Sequence, residues 1–159
     1  MPERRSPTLR VKVWGESACF TRPEFKAERV SYEVMTPSAA RGILEAILWK
    51  PAIRWHVDAI EVLAPIAFTT FRRNEVKDKI SLPSQAQVAG DAAMTSYDTT
   101  ANRQQRATLA LRRVAYVIRA HMVLTEYAGP DDNLTKFVAM FERRVAKGQC
   151  FHRPYLGCR

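Results

Sequence analysis

The chain has 159 residues, 47% of them hydrophobic, which is enough for one domain with an apolar core. Its formal net charge of +9 predicts a polyanionic partner, nucleic acid before an anionic membrane surface. No apolar run approaches the roughly 18 residues of a membrane span, and the basic N-terminus lacks the apolar stretch of a secretory signal. The three cysteines, Cys19, Cys150 and Cys158, fit neither a disulfide framework nor a zinc site. We therefore expect a reduced, cytoplasmic protein that contacts no membrane and needs no cofactor.

The first part of the chain alternates extended and helical patterns. Apolar and basic residues alternate over 9–13, which predicts a half-buried strand, and a second extended piece covers 30–35. A threonine N-cap followed by proline predicts a helix over about 36–49. The residues 53–62 then predict a strand with a bulge near Ala59.

The second part contains a long polar excursion. A further strand pattern covers 66–71, and the polar stretch 72–102 predicts a long hairpin or a partly mobile excursion. Alternation over 114–124 predicts a long strand, which is followed by an amphipathic helix over 134–148 and the start of another strand at Phe151.

This order of elements predicts an α+β fold. The pattern β-α-β-β-α-β is that of a ferredoxin-like (RRM-like) domain, here a single domain over 1–159 with 72–106 as a hairpin excursion. With the positive charge, RNA binding is the first function to consider, although the fold alone decides little. Two basic runs without acids, 103–119 and 143–159, would build one positive surface if the fold brings them together.

Lys136 is the most informative single residue. It lies in the first turn of the helix predicted over 134–148, where the helix dipole normally disfavours a cation. A lysine beside free helix N–H groups makes an anion site of phosphate size. The alternative is an ordinary solvated surface lysine.

Several blocks of the sequence resemble one protein family over nearly the whole chain. The chain resembles the subtype I-C CRISPR-associated Cas-five proteins of the RAMP superfamily. The matching blocks are 13–24, 31–47, 49–55, 72–77, 102–106 and 148–159, the last reading Gly-Gln-Cys-Phe-His-Arg-Pro-Tyr-Leu-Gly-Cys-Arg. Family members continue past this last motif, so the resemblance implies that the chain corresponds to the N-terminal portion, with the family's C-terminal region absent.

The resemblance implies an endoribonuclease. Such proteins cut precursor CRISPR RNA within each repeat, without a metal, by attack of the ribose 2′-hydroxyl. They then stay on the 5′ handle of the product as a subunit of the surveillance complex. The expected partners are therefore repeat RNA, mature crRNA and the other type I-C subunits.

The resemblance also assigns residues. The family lysine that opens the second helix corresponds to Lys136, which becomes the expected catalytic residue. The family's usual acid and base positions hold Leu48 and Phe137, which cannot transfer protons. We therefore expect another group to serve, cleavage to be slow, or the chain only to hold RNA. The alternative proton-transfer groups are Tyr32, His56, His121 and Tyr155.

The predicted RNA surface has two parts. Trp49 and Lys50 follow the first helix, where tryptophan either stacks on a base or belongs to the core. The other residues bracket the excursion and resemble a family thumb hairpin: Arg72, Arg73, Lys77, Lys79, Arg103, Gln104, Gln105 and Arg106. The rival functions are a non-catalytic RNA-binding subunit and a basic domain that binds duplex DNA.

Overall fold

The structure, a computed structural model, describes residues 5–25, 27–79, 81–93 and 96–157. Cys158 and Arg159 of the C-terminal motif lie outside the described residues. The elements are β1 (Leu9–Ala18), β2 (Arg29–Val30), α1 (Pro37–Ile47), β3 (Ile53–Val62), β4 (Phe68–Val76), α2 (Gln85–Ala89), β5 (Arg103–Leu124) and α3 (Leu134–Lys147). No helix in this described part is long and apolar enough to cross a membrane. The molecule is a mixed α+β protein built on one five-stranded sheet.

The long strand β5 organises the sheet. On one side, β1 pairs with it antiparallel from Leu9 opposite Ala120 to Ala18 opposite Leu111. On the other side, β3 pairs with the second half of β5, and β4 pairs antiparallel with the first half. The register of β3 shifts between Val57 and Ala59, which confirms the bulge predicted near Ala59. The short strand β2 runs parallel to β5 beside β1.

The two long helices cover one face of the sheet. Alternate residues of β5, such as Tyr116, Ile118 and Met122, are buried in the core with Leu44 of α1 and Phe141 of α3. Their odd-numbered neighbours face the other way. Because no helix of the described chain packs there, we call this surface the helix-free face.

Two sequence predictions are corrected by the structure. The extended piece predicted over 30–35 contributes only Arg29–Val30 to the sheet. The strand predicted to start at Phe151 does not form within the described residues, because the Phe151 N–H donates to the Ala46 carbonyl at the end of α1 (2.8 Å).

The segment after α3 runs along α1 toward the end of β1 instead. The Leu156 carbonyl accepts from the Cys19 N–H (3.0 Å). Gly157 has φ +95°, and a Cβ there would overlap the Cys19 carbonyl oxygen. Only glycine therefore fits where this motif passes the chain after β1.

Candidate nucleic-acid interface

Lys136 lies in the first turn of α3, and its ammonium group already has a partner. The Asn133 side chain caps the helix by accepting from the Lys136 N–H at 2.8 Å. The Lys136 Nζ lies 3.2 Å from Asp132 Oδ1 and 5.7 Å from the centroid of the Phe137 ring. The lysine side chain is 46% exposed, so an incoming phosphate can reach it. Asp132 therefore holds the lysine in place in the absence of ligand.

Asp132 is a strongly held carboxylate. Its pKa lies below the usual value, first because the Gly129 N–H donates to it and then because Lys136 does. The Gly129 bond is 3.1 Å long and closes the loop before α3. Lys50 lowers this pKa as well, by the smallest of these effects, through electrostatic attraction. Among the described residues the carboxylate forms its ion pair with Lys136, and Lys50 adds positive charge from the turn after α1.

The ends of α1 and β5 are joined at this place. The Thr125 N–H donates to the Ala52 carbonyl (3.0 Å), and the Thr125 hydroxyl donates to the Pro51 carbonyl. Arg144 of α3 donates to the Ile47 carbonyl at 2.7 Å, which also satisfies the C-terminal end of α1. We call the resulting group of Trp49, Lys50, Asp132 and Lys136 the helix-end site.

Trp49 is a surface residue of this site. Its side chain is 59% exposed, which excludes the core alternative. Leu48, the residue before it, is fully buried, and its carbonyl accepts from the Trp55 indole N–H (2.9 Å). Phe137, the residue after Lys136, is likewise buried. Leu48 and Phe137, the two residues at the positions that the resemblance assigns to proton transfer, are thus both core residues.

A groove of about 1060 Å³ runs beside α1 and shares Trp49 with the helix-end site. Aromatic side chains line much of it: Phe20, Tyr32, Trp49, Phe151, His152 and Tyr155. The structure therefore places two of the alternative proton-transfer groups, Tyr32 and Tyr155, in the same groove as Trp49. His56 and His121 pair across β3 and β5 with their side chains on the helix-free face, on the other side of the sheet.

The predicted RNA-binding residues of the excursion lie on a hairpin formed by β4 and the first half of β5. Pairing runs from Phe68 opposite Leu111 to Val76 opposite Arg103, and the Lys77 N–H extends it by donating to the Asn102 carbonyl (2.9 Å). Lys77 and Lys79 are exposed beyond β4. We call this element the basic hairpin.

The two faces of the basic hairpin differ in how their cations are engaged. Arg72, Arg103 and Gln105 are exposed on one face. On the other face, Arg73 donates to the buried Thr108 hydroxyl (2.8 Å) and lies 2.7 Å from Glu75. Arg106 donates to the Gln104 side chain there at 2.8 Å. The first face is thus the better candidate for phosphate contacts.

The structure does not bring the basic hairpin and the helix-end site together. They lie at opposite ends of β5, since Arg103 begins this strand and the loop before Lys136 follows Leu124. A ligand that contacts both the basic hairpin and the helix-end site must therefore be long.

The backbone of β5 is irregular near its middle. Arg113 has φ +48°, a left-handed conformation that is uncommon for arginine.

Sequence reasoning missed the residues that organise the helix-end site. Asp132 stands four residues before Lys136, and this spacing favours an ion pair on a helix. The spacing was thus the sequence signal from which the Asp132–Lys136 pair could have been predicted. Phe151 and His152 carried no comparable signal, because only the path of the segment after α3 places them in the groove.

Comparison with known proteins defines the class to which this fold and site belong. A family model described as "CRISPR-associated protein (Cas_Cas5)" and named Cas_Cas5d matches residues 8–159. The structure resembles a solved "CRISPR-associated Protein" with a TM-score of 0.66 and 26% identity, over 99% of this chain and 64% of that one. It also resembles a chain of a "CRISPR RNA-guided surveillance complex", with a TM-score of 0.56, 13% identity and coverage of 96% and 58%. At that identity the likeness shows the fold alone.

The chain belongs to the Cas5 family of CRISPR-associated proteins, in its Cas5d branch. It is 54% identical over 156 residues to the CRISPR pre-crRNA endoribonuclease Cas5d of Mannheimia succiniciproducens. It is 50% identical over 151 residues to the protein of the same name from Thermus thermophilus. Each alignment covers 95% of this chain, which spans 68% and 60% of the lengths of these two relatives.

Proposed function

We propose that the chain is the RNA-binding and catalytic portion of a pre-crRNA endoribonuclease. The observation that carries this proposal is Lys136 in the helix-end site, an exposed lysine at the N-terminus of α3 whose ammonium group pairs with Asp132. The similarity of the chain to two pre-crRNA endoribonucleases, at 54% and 50% identity, supports it. The strand order, with β5 between β1 and β3 and two helices on one face, supports a ferredoxin-like fold.

The proposed reaction is cleavage of a CRISPR repeat by its own ribose. The 2′-hydroxyl loses its proton to a base and its oxygen attacks the adjacent phosphorus. The bond from phosphorus to the 5′-oxygen breaks, and that oxygen takes up a proton. The products are a 2′,3′-cyclic phosphate and a 5′-hydroxyl. Lys136, displaced from Asp132 by the substrate, stabilises the extra negative charge on the phosphate oxygens.

The proton transfers are assigned to the groove beside α1. Tyr32 and Tyr155 line it together with Trp49, whose exposed ring is suited to stacking on a base next to the cleaved bond. The reaction requires no metal ion or other cofactor.

After cleavage, the product remains bound as a handle. The basic hairpin, with Arg72 and Arg103 on its exposed face, contacts the crRNA backbone, and the protein joins the other subunits of a type I-C surveillance complex in the cytoplasm. Membership of the Cas5 family of CRISPR-associated proteins supports this role.

A second candidate function is RNA holding without cleavage. Leu48 and Phe137 favour it, because both are buried in the core and neither can transfer a proton. In this role Lys136 and Lys50 bind the handle phosphates and the groove binds its bases.

A single-turnover cleavage assay with repeat RNA separates the two functions. We expect the wild type to cut once per repeat. Lys136→Ala should lose at least about a hundredfold in rate, because one charge-stabilising group is worth roughly 10²–10³ in other oxyanion sites. RNA affinity should change by less than about tenfold. Lys136→Arg, which keeps the charge, is the matched control. Unchanged cleavage by Lys136→Ala would remove the lysine from the mechanism, and tight binding without cleavage by the wild type would establish the holding role.

A further inference from the structure

A pair of stacked histidines lies on the helix-free face. His56 of β3 stands opposite His121 of β5, and their rings are nearly parallel, with centroids 5.4 Å apart and planes inclined by 13°. Asp58 Oδ1 lies 2.8 Å from His121 Nδ1, and the His121 side chain is only 13% exposed. The His56 side chain is exposed. The His121 imidazole, held by Asp58, thus packs against one face of the exposed His56 ring.

A second exposed ring lies at the edge of the sheet, toward the other end of this face, where it also lines a small cavity with Ile43 of α1 and Leu156. Trp14 of β1 is 70% exposed, and the Lys12 ammonium lies 5.9 Å from its ring centroid. Trp14 pairs with Ala115 and His56 pairs with His121, so the two rings are six residues apart along β5. At about 3.3 Å per residue this separation is roughly 20 Å.

Cations lie between and beside the two rings. Glu61 contacts Arg10 at 3.2 Å and Arg119 at 3.8 Å. In the part of the chain that the structure describes, neither Lys12 nor Arg54 has an acidic partner within 4 Å. The cations Arg10, Lys12, Arg54 and Arg119 thus exceed the acids Glu16, Asp58 and Glu61 by one, and Lys12 and Arg54 are the cations without an ion pair in the described chain. The planar rings lie at separate positions rather than in one continuous apolar patch.

We infer that the helix-free face binds a single-stranded segment of RNA. Exposed rings stack on unpaired bases, and the cations between them contact the backbone phosphates. Duplex nucleic acid offers no free base faces to two such rings, and an apolar protein partner would bury Arg10, Arg54 and Arg119 at high cost. The inference rests on the proposed function in taking RNA as the polyanion. The RNA-binding surface inferred here lies on the opposite face of the sheet from the helix-end site.

The test uses a fluorescent eight-nucleotide oligouridine, which has no hairpin for other sites to recognise. We expect Trp14→Ala and His56→Ala each to weaken binding roughly five- to hundredfold, as for stacking residues in other single-strand binding proteins. Phe25→Ala is the matched control, since Phe25 is an aromatic residue 46% exposed in the loop after β1, outside this face. The affinity of the Phe25→Ala variant for the oligouridine should stay within about twofold of that of the wild type. Thermal unfolding of each variant checks that the fold is kept.

The outcomes separate this inference from the proposed function. Photocrosslinks of the oligouridine to peptides containing Trp14 or His56 would support the inference, whether or not the wild type cuts repeat RNA. If the wild type cuts repeat RNA but both variants bind the oligouridine as Phe25→Ala does, the inference is overturned while the proposed function stands. Competition by duplex DNA as effective as that by oligouridine at equal phosphate concentration would also overturn it, because charge alone would then explain the binding.

Discussion

Asp132 sets the resting position of Lys136, the proposed catalytic lysine. Its carboxylate accepts from the Gly129 N–H and from Lys136, so one side chain fixes both the loop and the ammonium group. An exposed ion pair of this kind contributes little to stability. In the proposed function its consequence is that an RNA phosphate competes with the carboxylate for the lysine.

Asp132→Asn should therefore bind repeat RNA more tightly than the wild type, by about two- to fivefold at 0.1 M salt. The substitution removes one negative charge and keeps an oxygen for the Gly129 N–H. Fluorescence anisotropy with labelled repeat RNA measures the change. Glu142→Gln, at an exposed residue of α3, is the control because it removes one negative charge elsewhere.

The effect of Asp132→Asn should not depend on pH in the neutral range. Because the pKa of Asp132 is lowered in the folded protein, its contact with Lys136 is present above the unfolded pKa of about 4 and is lost only as pH falls through the folded value. The affinity ratio of mutant to wild type should thus be constant from about pH 5 to pH 8. A ratio that falls to one near pH 6 would contradict this pairing.

At the scale of the elements, β3 positions the end of α1. Trp55 is 2% exposed, its indole donates to the Leu48 carbonyl, and its ring packs on Phe141 with centroids 4.8 Å apart. The same residue therefore anchors the turn that carries Trp49 and Lys50 and connects it to α3.

Trp55→Phe should lower the free energy of unfolding by roughly 2–4 kcal/mol, because it leaves the Leu48 carbonyl without its partner and creates a cavity. Urea unfolding followed by circular dichroism measures this loss. Trp49→Phe, at a residue 59% exposed, should change stability by less than about 0.5 kcal/mol. Equal stabilities for the two variants would argue against the anchoring role.

The basic hairpin makes its own prediction. Arg72→Gln combined with Arg103→Gln should reduce the slope of log affinity against log salt concentration by about 1.4, since each lost phosphate contact on a single strand removes about 0.7. Both arginines are exposed, so the fold should be kept. By contrast, Arg73→Gln should mainly reduce stability, because Arg73 bonds to Thr108 and Glu75. A salt slope unchanged in the double variant would place the RNA elsewhere.

The elements that local pattern determines were predictable, and those that depend on distant contacts were not. The α1 start at Thr36, the β3 bulge and the α3 cap at Gly148 follow from short-range signals that the structure confirms. The predicted strand at Phe151 was wrong, because the Ala46 carbonyl, remote in sequence, accepts its N–H.

The candidate site likewise combines features that local sequence predicts with features that depend on distant contacts. Lys136 could be singled out from its place at a helix start, and the four-residue spacing was a signal for its pairing with Asp132. The contact between the loop after β5 and the turn after α1, by contrast, joins residues far apart in sequence. That Trp49 is exposed while Leu48 is buried depends on how the end of α1 packs on β3. The sequence pattern alone left the tryptophan undecided between a core residue and a surface residue.

At the scale of the molecule, the candidate RNA-contacting surfaces lie at different ends and on different faces of one sheet. The helix-end site and the basic hairpin lie at opposite ends of β5, and the stacked histidines lie on the opposite face from α1 and α3. This arrangement fits a protein that contacts one RNA at several places and cuts it at one of them.

The most direct test of the proposed cleavage is single-turnover reaction of repeat RNA in EDTA, with either the natural ribose or a single 2′-deoxy substitution 5′ of the cleaved phosphate. We expect EDTA to leave the rate unchanged and the deoxy substrate to remain intact, because in the proposed mechanism the nucleophile is the 2′-hydroxyl and Lys136 supplies the positive charge. Cleavage of the deoxy substrate, or loss of all cleavage in EDTA, would contradict the helix-end mechanism.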